Sequence, residues 1–231
     1  MKAVPDCAAQ RWTPFDGALA LFAPIASVSA IAVPGEEALK AIAHAPRRDA
    51  AIAARVLARR ALQAIGGPRE VAIGRGESGA PLWPADYTGS LAHDAEHAIA
   101  LVGERARFAA LGVDIEPCAA LPADAAALVI GAGERRCLDA LEGGYARWSR
   151  ALFGIKECVH KCVNPATGIW LEFDEVEVRI EAHGAASVTP LSDSAKTAAA
   201  WFGGTLGVGR VSFVDGAVLS ALAIAASGDG G

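Results

Sequence analysis

Between Leu111 and Pro117 apolar and polar side chains alternate, with Val113 and Ile115 interleaving with Asp114 and Glu116. A period of two predicts a strand and sends both carboxylates to the same face. Trp148, Leu152, Ile155 and Val159 recur instead at helical spacing, one apolar stripe of a long helix over Tyr145–Val163 that Asn164-Pro165 closes. Glu157 and Lys161 lie one turn apart on another face of that helix, the acid first. Pro34-Gly35-Glu36-Glu37 starts a short helix to Ala43, and a longer one runs from Arg48 to Ile65 until Gly66-Gly67-Pro68 breaks it. Strands are expected at Leu19–Phe22, Val28–Val33, Glu70–Ile73, Ser90–His93, His97–Val102 and Ala110–Ile115, with a Gly/Pro-rich loop from Gly74 to Gly89. Pro122 opens an Ala-rich helical stretch, followed by a helix over Gly133–Leu141. The remainder reads as β: Glu172–Glu181, Thr197–Thr205, Arg210–Val214 and Val218–Ala225, the last two joined by an Asp215-Gly216 hairpin turn. Each half of the chain thus holds one long helix and several strands.

Composition narrows the class. The 231 residues are 53% hydrophobic, enough for one large domain or two small ones. A net charge of −5 gives no basic face for nucleic acid. Cys7, Cys118, Cys137, Cys158 and Cys162 form an odd set without a disulfide framework, which suits a reducing, cytoplasmic setting. Cys158, His160 and Cys162 do not suggest zinc, because on a helix His160 points about 200° away from Cys158. The charge-free stretch from Gly17 to Gly35 is interrupted by Pro24 and Pro34 and reads as two strands rather than a membrane span.

The candidate chemistry centres on acids. Two carboxylates on one strand face repel each other, and a cation between them removes the repulsion; hard oxygen ligands suit Mg²⁺. A solvated edge strand with two surface acids has the same pattern. The helix admits two readings as well: a surface Glu157–Lys161 ion pair, or a third metal carboxylate with a phosphate-facing lysine one turn on.

The two blocks together resemble the Sfp/EntD-type 4′-phosphopantetheinyl transferases. Gly112-Val113-Asp114-Ile115-Glu116 is similar to that family's G-[IV]-D-[IV]-E, and Phe153 to Lys161 to its [WF]-[ST]-x-K-E-[SA]-x-x-K. Pro81-Leu82-Trp83-Pro84 and Gly89-Ser90-Leu91-Ala92-His93 look like its P-x-W-P and G-S-I-S-H elements, and Arg55 falls in a helix like its G-R-x-x-A-x-x-A-L.

The resemblance implies an α+β fold of two similar subdomains related by a pseudo-twofold, each a small antiparallel sheet with a long helix, the active site in the cleft between them. Residues 1–116 would form the N-terminal subdomain, on the phosphate and adenine side of coenzyme A. Residues 117–226 would form the C-terminal subdomain carrying Glu157 and Lys161, and 227–231 a disordered tail. The implied reaction is Mg²⁺-dependent transfer of the 4′-phosphopantetheine arm of coenzyme A to a serine of an apo acyl or peptidyl carrier protein, releasing 3′,5′-ADP. The enzyme would be a cytoplasmic monomer serving secondary metabolism.

Asp114, Glu116 and Glu157 would hold the metal. Glu157 would also act as general base, and Lys161 would face a phosphate. Coenzyme A would be bound by Arg55, with Arg48 and Arg59 on the same helix face, and by Arg75, Pro81, His93, Lys156 and Lys161. Some positions depart from the pattern. Ala92 stands where a serine is usual, Gly79-Ala80 where a basic residue is often found, and Gly154 and Cys158 flank Lys156-Glu157 in place of a small hydroxyl residue or alanine. Arg75 is the residue that can make good the loss at Gly79-Ala80. Two other activities share these residues: a Mg²⁺-dependent nucleotide pyrophosphate hydrolase, and a non-catalytic coenzyme A or carrier-binding protein.

Overall fold

A computed structural model describes residues 9–28, 33–68, 70–76 and 79–226. The chain forms two compact units, Met1–Arg105 and Ala106–Gly231. Each is an antiparallel sheet with one long helix packed on it, the α+β class that the alternation of patterns predicts.

In the first unit β1 (Gln10–Trp12), β2 (Ala18–Pro24), β5 (Tyr87–His93) and β6 (His97–Glu104) form a sheet in the order β1-β2-β6-β5. The helix α1 (Ala45–Ala64) packs across β2, β5 and β6. Its buried residues Ala54, Leu57, Ala58, Ala61 and Leu62 are mostly small, so helix and sheet approach closely. α1 starts three residues earlier than its charge pattern suggests, because His44 caps it: the Nδ1 atom accepts from Arg47 N at 3.3 Å. The expected helix near Glu36 is a 3-10 turn, Glu37–Ala41.

Glu70–Ile73 was expected as a strand and is not one. The backbone of Ile73 is claimed by side chains: Ile73 N donates to Glu36 Oε1 at 3.1 Å, and Ile73 O accepts from Arg55 Nε at 2.7 Å. Only a two-residue ribbon forms nearby, β3 (Gly74–Arg75) with β4 (Pro81–Leu82). Most of the expected strand Val28–Val33 lies outside the described residues, as do Cys7 and the 227–231 tail.

The second unit's sheet runs β7-β11-β10-β9-β8, from β7 (Phe108–Pro117), β8 (Val176–Ile180), β9 (Ala185–Pro190), β10 (Val208–Val214) and β11 (Ala217–Ala225). β7 pairs with β11 along its length, with Asp114 opposite Ser220 and Glu116 opposite Val218. The Asp-x-Glu strand therefore belongs to the second unit, whereas the sequence reading ended the first subdomain at Glu116. The hairpin turn between β10 and β11 forms as expected, with Asp215 and Gly216 at φ 49° and 80°.

Helices α2 (Ala123–Val129), α3 (Ala132–Asp139) and α4 (Gly144–Thr167) follow β7. The apolar stripe of α4 packs on β7 and β11. Pro165 does not end α4, which continues one turn to Gly168 in the left-handed region, φ 72°, where Gly168 N donates to Asn164 O. The expected strand at Thr197–Thr205 is replaced by a helix, α5 (Asp193–Trp201). Ser192 caps it by accepting from Ala195 N at 3.0 Å, and the alanine run favours helix over strand. Among the described residues no helix is long and apolar enough to cross a membrane. The described cysteines are all free: Cys158 and Cys162 are buried in α4, Cys118 and Cys137 exposed.

Candidate active site

In the second unit two glycines bring α4 onto the sheet. A Cβ on Gly112 would stand 2.4 Å from Cys158 O and 2.9 Å from its Cα, inside the helix backbone. A Cβ on Gly154 would stand 2.5 Å from Ser220 Oγ and 3.4 Å from Asp114 Oδ2. Glycine at both points lets helix and strand backbones meet, which places the α4 side chains directly against the acids of β7. The departure at Gly154 thus has a physical reason: Ser220, across from Asp114 on β11, occupies the space a side chain there would need.

Asp114 is buried, 7% exposed, and its Oδ1 accepts from Lys161 Nζ at 2.7 Å. Lys161 also donates to Val113 O at 3.0 Å. Burial opposes the charge on this ammonium, but Asp114 outweighs it, and the Lys161 pKa is raised. Glu116 accepts from Arg150 Nη1 at 2.5 Å. Glu157 has its pKa raised, first by burial; Lys161 opposes the shift while Asp114 and Glu116 add to it. Glu157 therefore senses both strand acids, Asp114 and Glu116.

Arg150 is the member that the sequence reading missed. It precedes Glu157 by seven residues and Lys161 by eleven, which puts all three within an arc of about 40° on one helix face. That spacing is the signal that was available in the sequence.

Lys156 does not join them. It is 1% exposed, on a different face of α4. Its Nζ donates to Val129 O at 2.8 Å, Phe173 O at 2.7 Å and Glu134 Oε2 at 3.0 Å. Glu134 in turn accepts from Gly131 N at 2.8 Å and Val178 N at 2.8 Å. All three ammonium protons are engaged, so the structure gives Lys156 the post of tying α2, α3 and β8 to α4, in place of the cofactor contact expected of it.

The first unit holds a cavity of about 280 Å³. Arg47, Arg55, Arg75, Gly79, Pro81, Ala92 and His93 are among its lining residues. Four of the expected coenzyme A residues, Arg55, Arg75, Pro81 and His93, therefore share one cavity. Arg55 is buried, with Nε on Ile73 O and Nη1 on Ala51 O. Its pKa is lowered, chiefly by burial; Glu36 opposes this, while Arg75 and Arg59 add to it. Clustered arginines of this kind favour an anion. Gly79 sits against Arg75, its Cβ position 3.2 Å from Nη2, so the basic side chain absent at Gly79-Ala80 is replaced at the same place by Arg75.

The other two arginines are placed differently. Arg59 donates to buried Glu36 Oε1 at 2.5 Å, and Arg48 lies 3.8 Å from Asp49; neither lines the pocket. Arg47, not singled out for binding in the sequence, does line it, one turn before Ala51 and two before Arg55.

The donor chemistry of Asp114, Glu116 and Glu157 fits a hard divalent cation: three carboxylates, one of them with its proton affinity raised by burial and, to a lesser extent, by the other two. Among the described residues no three acidic, histidine or cysteine groups already converge as a ligand set. Lys161 and Arg150 compensate the strand acids instead.

The first unit thus gathers arginines around a cavity, and the second sets carboxylates beside a lysine and an arginine. The chain belongs to the 4′-phosphopantetheinyl transferase superfamily. The model of that superfamily matches residues 110–210, and the model of the 4′-phosphopantetheinyl transferase N-terminal domain matches residues 35–103. It is 40% identical over 148 residues to the 4′-phosphopantetheinyl transferase Npt of Nocardia iowensis, a match covering 64% of this chain and 66% of the relative. It is 34% identical over 149 residues to the 4′-phosphopantetheinyl transferase PptT of Mycobacterium tuberculosis, covering 64% and 65%. Similarity to the 4′-phosphopantetheinyl transferase Svp of Streptomyces mobaraensis is 38% over 149 residues, covering 63% and 60%. The chain thus spans just under two thirds of the curated relatives it matches.

Proposed function

We propose that this protein transfers the 4′-phosphopantetheine arm of coenzyme A to a serine of an apo acyl or peptidyl carrier protein, releasing 3′,5′-ADP. The observation that carries this reading is the array of Asp114, Glu116, Glu157 and Lys161 formed where Gly112 admits α4 onto β7. Family membership and the relatives' names support the same reaction.

Asp114, Glu116 and Glu157 hold Mg²⁺ in this proposal. The ion, when bound, neutralises charge on the pyrophosphate oxygens as the phosphoanhydride bond breaks. Lys161, anchored on Val113 O and Asp114, presents its ammonium to a phosphate. Glu157 would take the serine proton, as the acid of the helix that faces the strand acids. In the first unit Arg55, Arg75 and His93, together with Arg47, hold a phosphate of coenzyme A. The serine oxygen then attacks the β-phosphorus, and the leaving phosphate carries away the nucleotide. The free thiols fit the cytoplasm.

The test is mass spectrometry of a panel of apo-carriers incubated with coenzyme A, with Mg²⁺ or with a chelator. A carrier that gains the phosphopantetheine mass only with Mg²⁺ supports the proposal. Coenzyme A cleavage without a carrier, and no modified carrier, would instead identify a hydrolase.

A further inference from the structure

The two cations of the acid array are held differently. Lys161 has a backbone anchor, Val113 O, besides its carboxylate. Arg150 has no such anchor: only Nη1 is engaged, on Glu116 Oε2 at 2.5 Å. Its Nε is buried without a hydrogen-bond partner among the described residues. The pair is also partly open to water, with side chains 19% and 21% exposed. A guanidinium is shaped to grip a carboxylate or a phosphate with two parallel prongs. Here one prong is used and a buried donor goes unspent, which costs desolvation without return. A guanidinium cannot lose its proton, so it can vacate Glu116 only by moving.

Resting on the metal assignment above, we propose that Arg150 is the resident counter-cation of Glu116, displaced from it by the divalent metal and passed to a phosphate oxygen of coenzyme A. The empty enzyme thereby keeps Glu116 neutralised, and metal and cosubstrate arrive as a coupled pair. The metal takes the carboxylate from the arginine, and the phosphate receives the arginine that the metal releases. Arg150 is in this account a binding residue for the cosubstrate and a competitor of the metal alone. The two roles have opposite signs, which a purely structural residue would not show.

The experiment measures Mn²⁺ alone by electron paramagnetic resonance, then coenzyme A in saturating Mg²⁺ by calorimetry. The proteins are wild type, Arg150→Gln, Arg150→Lys and Arg147→Gln. Arg147 is an exposed neighbour on the same helix, stacked over Phe213 at 4.3 Å, and controls for the loss of one positive charge. Arg150→Gln is expected to bind Mn²⁺ alone about fivefold tighter and coenzyme A about fivefold weaker, the scale of a partly exposed ion pair. Arg150→Lys should recover part of the coenzyme A affinity, and it carries the test if the glutamine variant does not fold. Equal Mn²⁺ affinity in wild type and the Arg150 variants, or an equal change in Arg147→Gln, overturns the proposal while leaving the metal site intact. No Mn²⁺ binding by any of the proteins overturns the metal assignment itself, and this proposal with it.

Discussion

Two lysines five residues apart on α4 have opposite fates. Lys156 points into the second unit, 1% exposed, its ammonium shared among Glu134 and two carbonyls. Lys161 points at β7, half-buried, against Asp114, one of the two strand acids that Glu157 feels. Both are buried ion pairs on one helix, but only one is closed. Lys156 has no donor left to offer, and its partner Glu134 is satisfied by backbone N–H groups. Among the described residues Lys161 keeps one ammonium proton beyond its bonds to Val113 O and Asp114, and it lies beside a second acid, Glu157, that feels it. Saturation, more than burial, separates a charge that builds the fold from one that serves chemistry.

The most damaging way to test that distinction is Lys156→Ala, which leaves Glu134 buried without its cation. A loss of about 3–5 kcal/mol is expected in urea denaturation. Pairing Lys156→Met with Glu134→Gln should recover part of it, because the amide removes the unpaired charge while its oxygen can still accept from a backbone N–H. Asp114→Asn attacks the open pair instead: transfer should fall about 100-fold in a carrier-modification assay while the melting temperature changes little. If Asp114→Asn unfolds the protein as Lys156→Ala does, the contrast collapses. Gly112→Ala probes what the two share, the approach of α4 to β7. Its methyl would meet Cys158 O at 2.4 Å, with a cost of about 2 kcal/mol in stability and a loss of transfer beyond it, read by melting and activity together. The smallest effect belongs to the first unit: Arg75→Gln should raise the KM for coenzyme A about tenfold with little change in kcat.

Strand period put Asp114 and Glu116 on one face of β7, and helix period put Glu157 and Lys161 on one face of α4; it was the family resemblance, not the periods, that joined the two sets. Arg150 shares that helix face and escaped only because no motif names it. Lys156 was misassigned for a different reason. Its partners Glu134, Val129 and Phe173 are brought to it by α2, α3 and the turn before β8, and nothing local to Lys156 announces them. Glu36 is a similar case. Near a Pro-Gly it reads as a helix start, yet it is 1% exposed and holds Arg59 and the Ile73 backbone. That contact over a long sequence separation is also why Glu70–Ile73 forms no strand. The error at Thr197–Thr205 was local: Ser192 and the alanine run were helix signals that an all-β reading of the C-terminal region overrode. In the first unit the cavity gathered four expected residues, and the i, i+4, i+8 run of Arg47, Ala51 and Arg55 could have supplied the fifth.

The placement of the cysteines gives the protein an intrinsic labelling scheme. Burial pushes the Cys158 and Cys162 thiols up, which keeps them protonated and shielded from alkylating reagents. Cys118 is exposed and lies two residues beyond Glu116, its backbone N–H held by Gly216 O at 2.6 Å. A maleimide fluorophore on Cys118, in a Cys7→Ser, Cys137→Ser background, would place a reporter next to the acid strand without touching an acid. The metal binding proposed at Glu116 could then be followed optically, in real time, with every acid of the array left native.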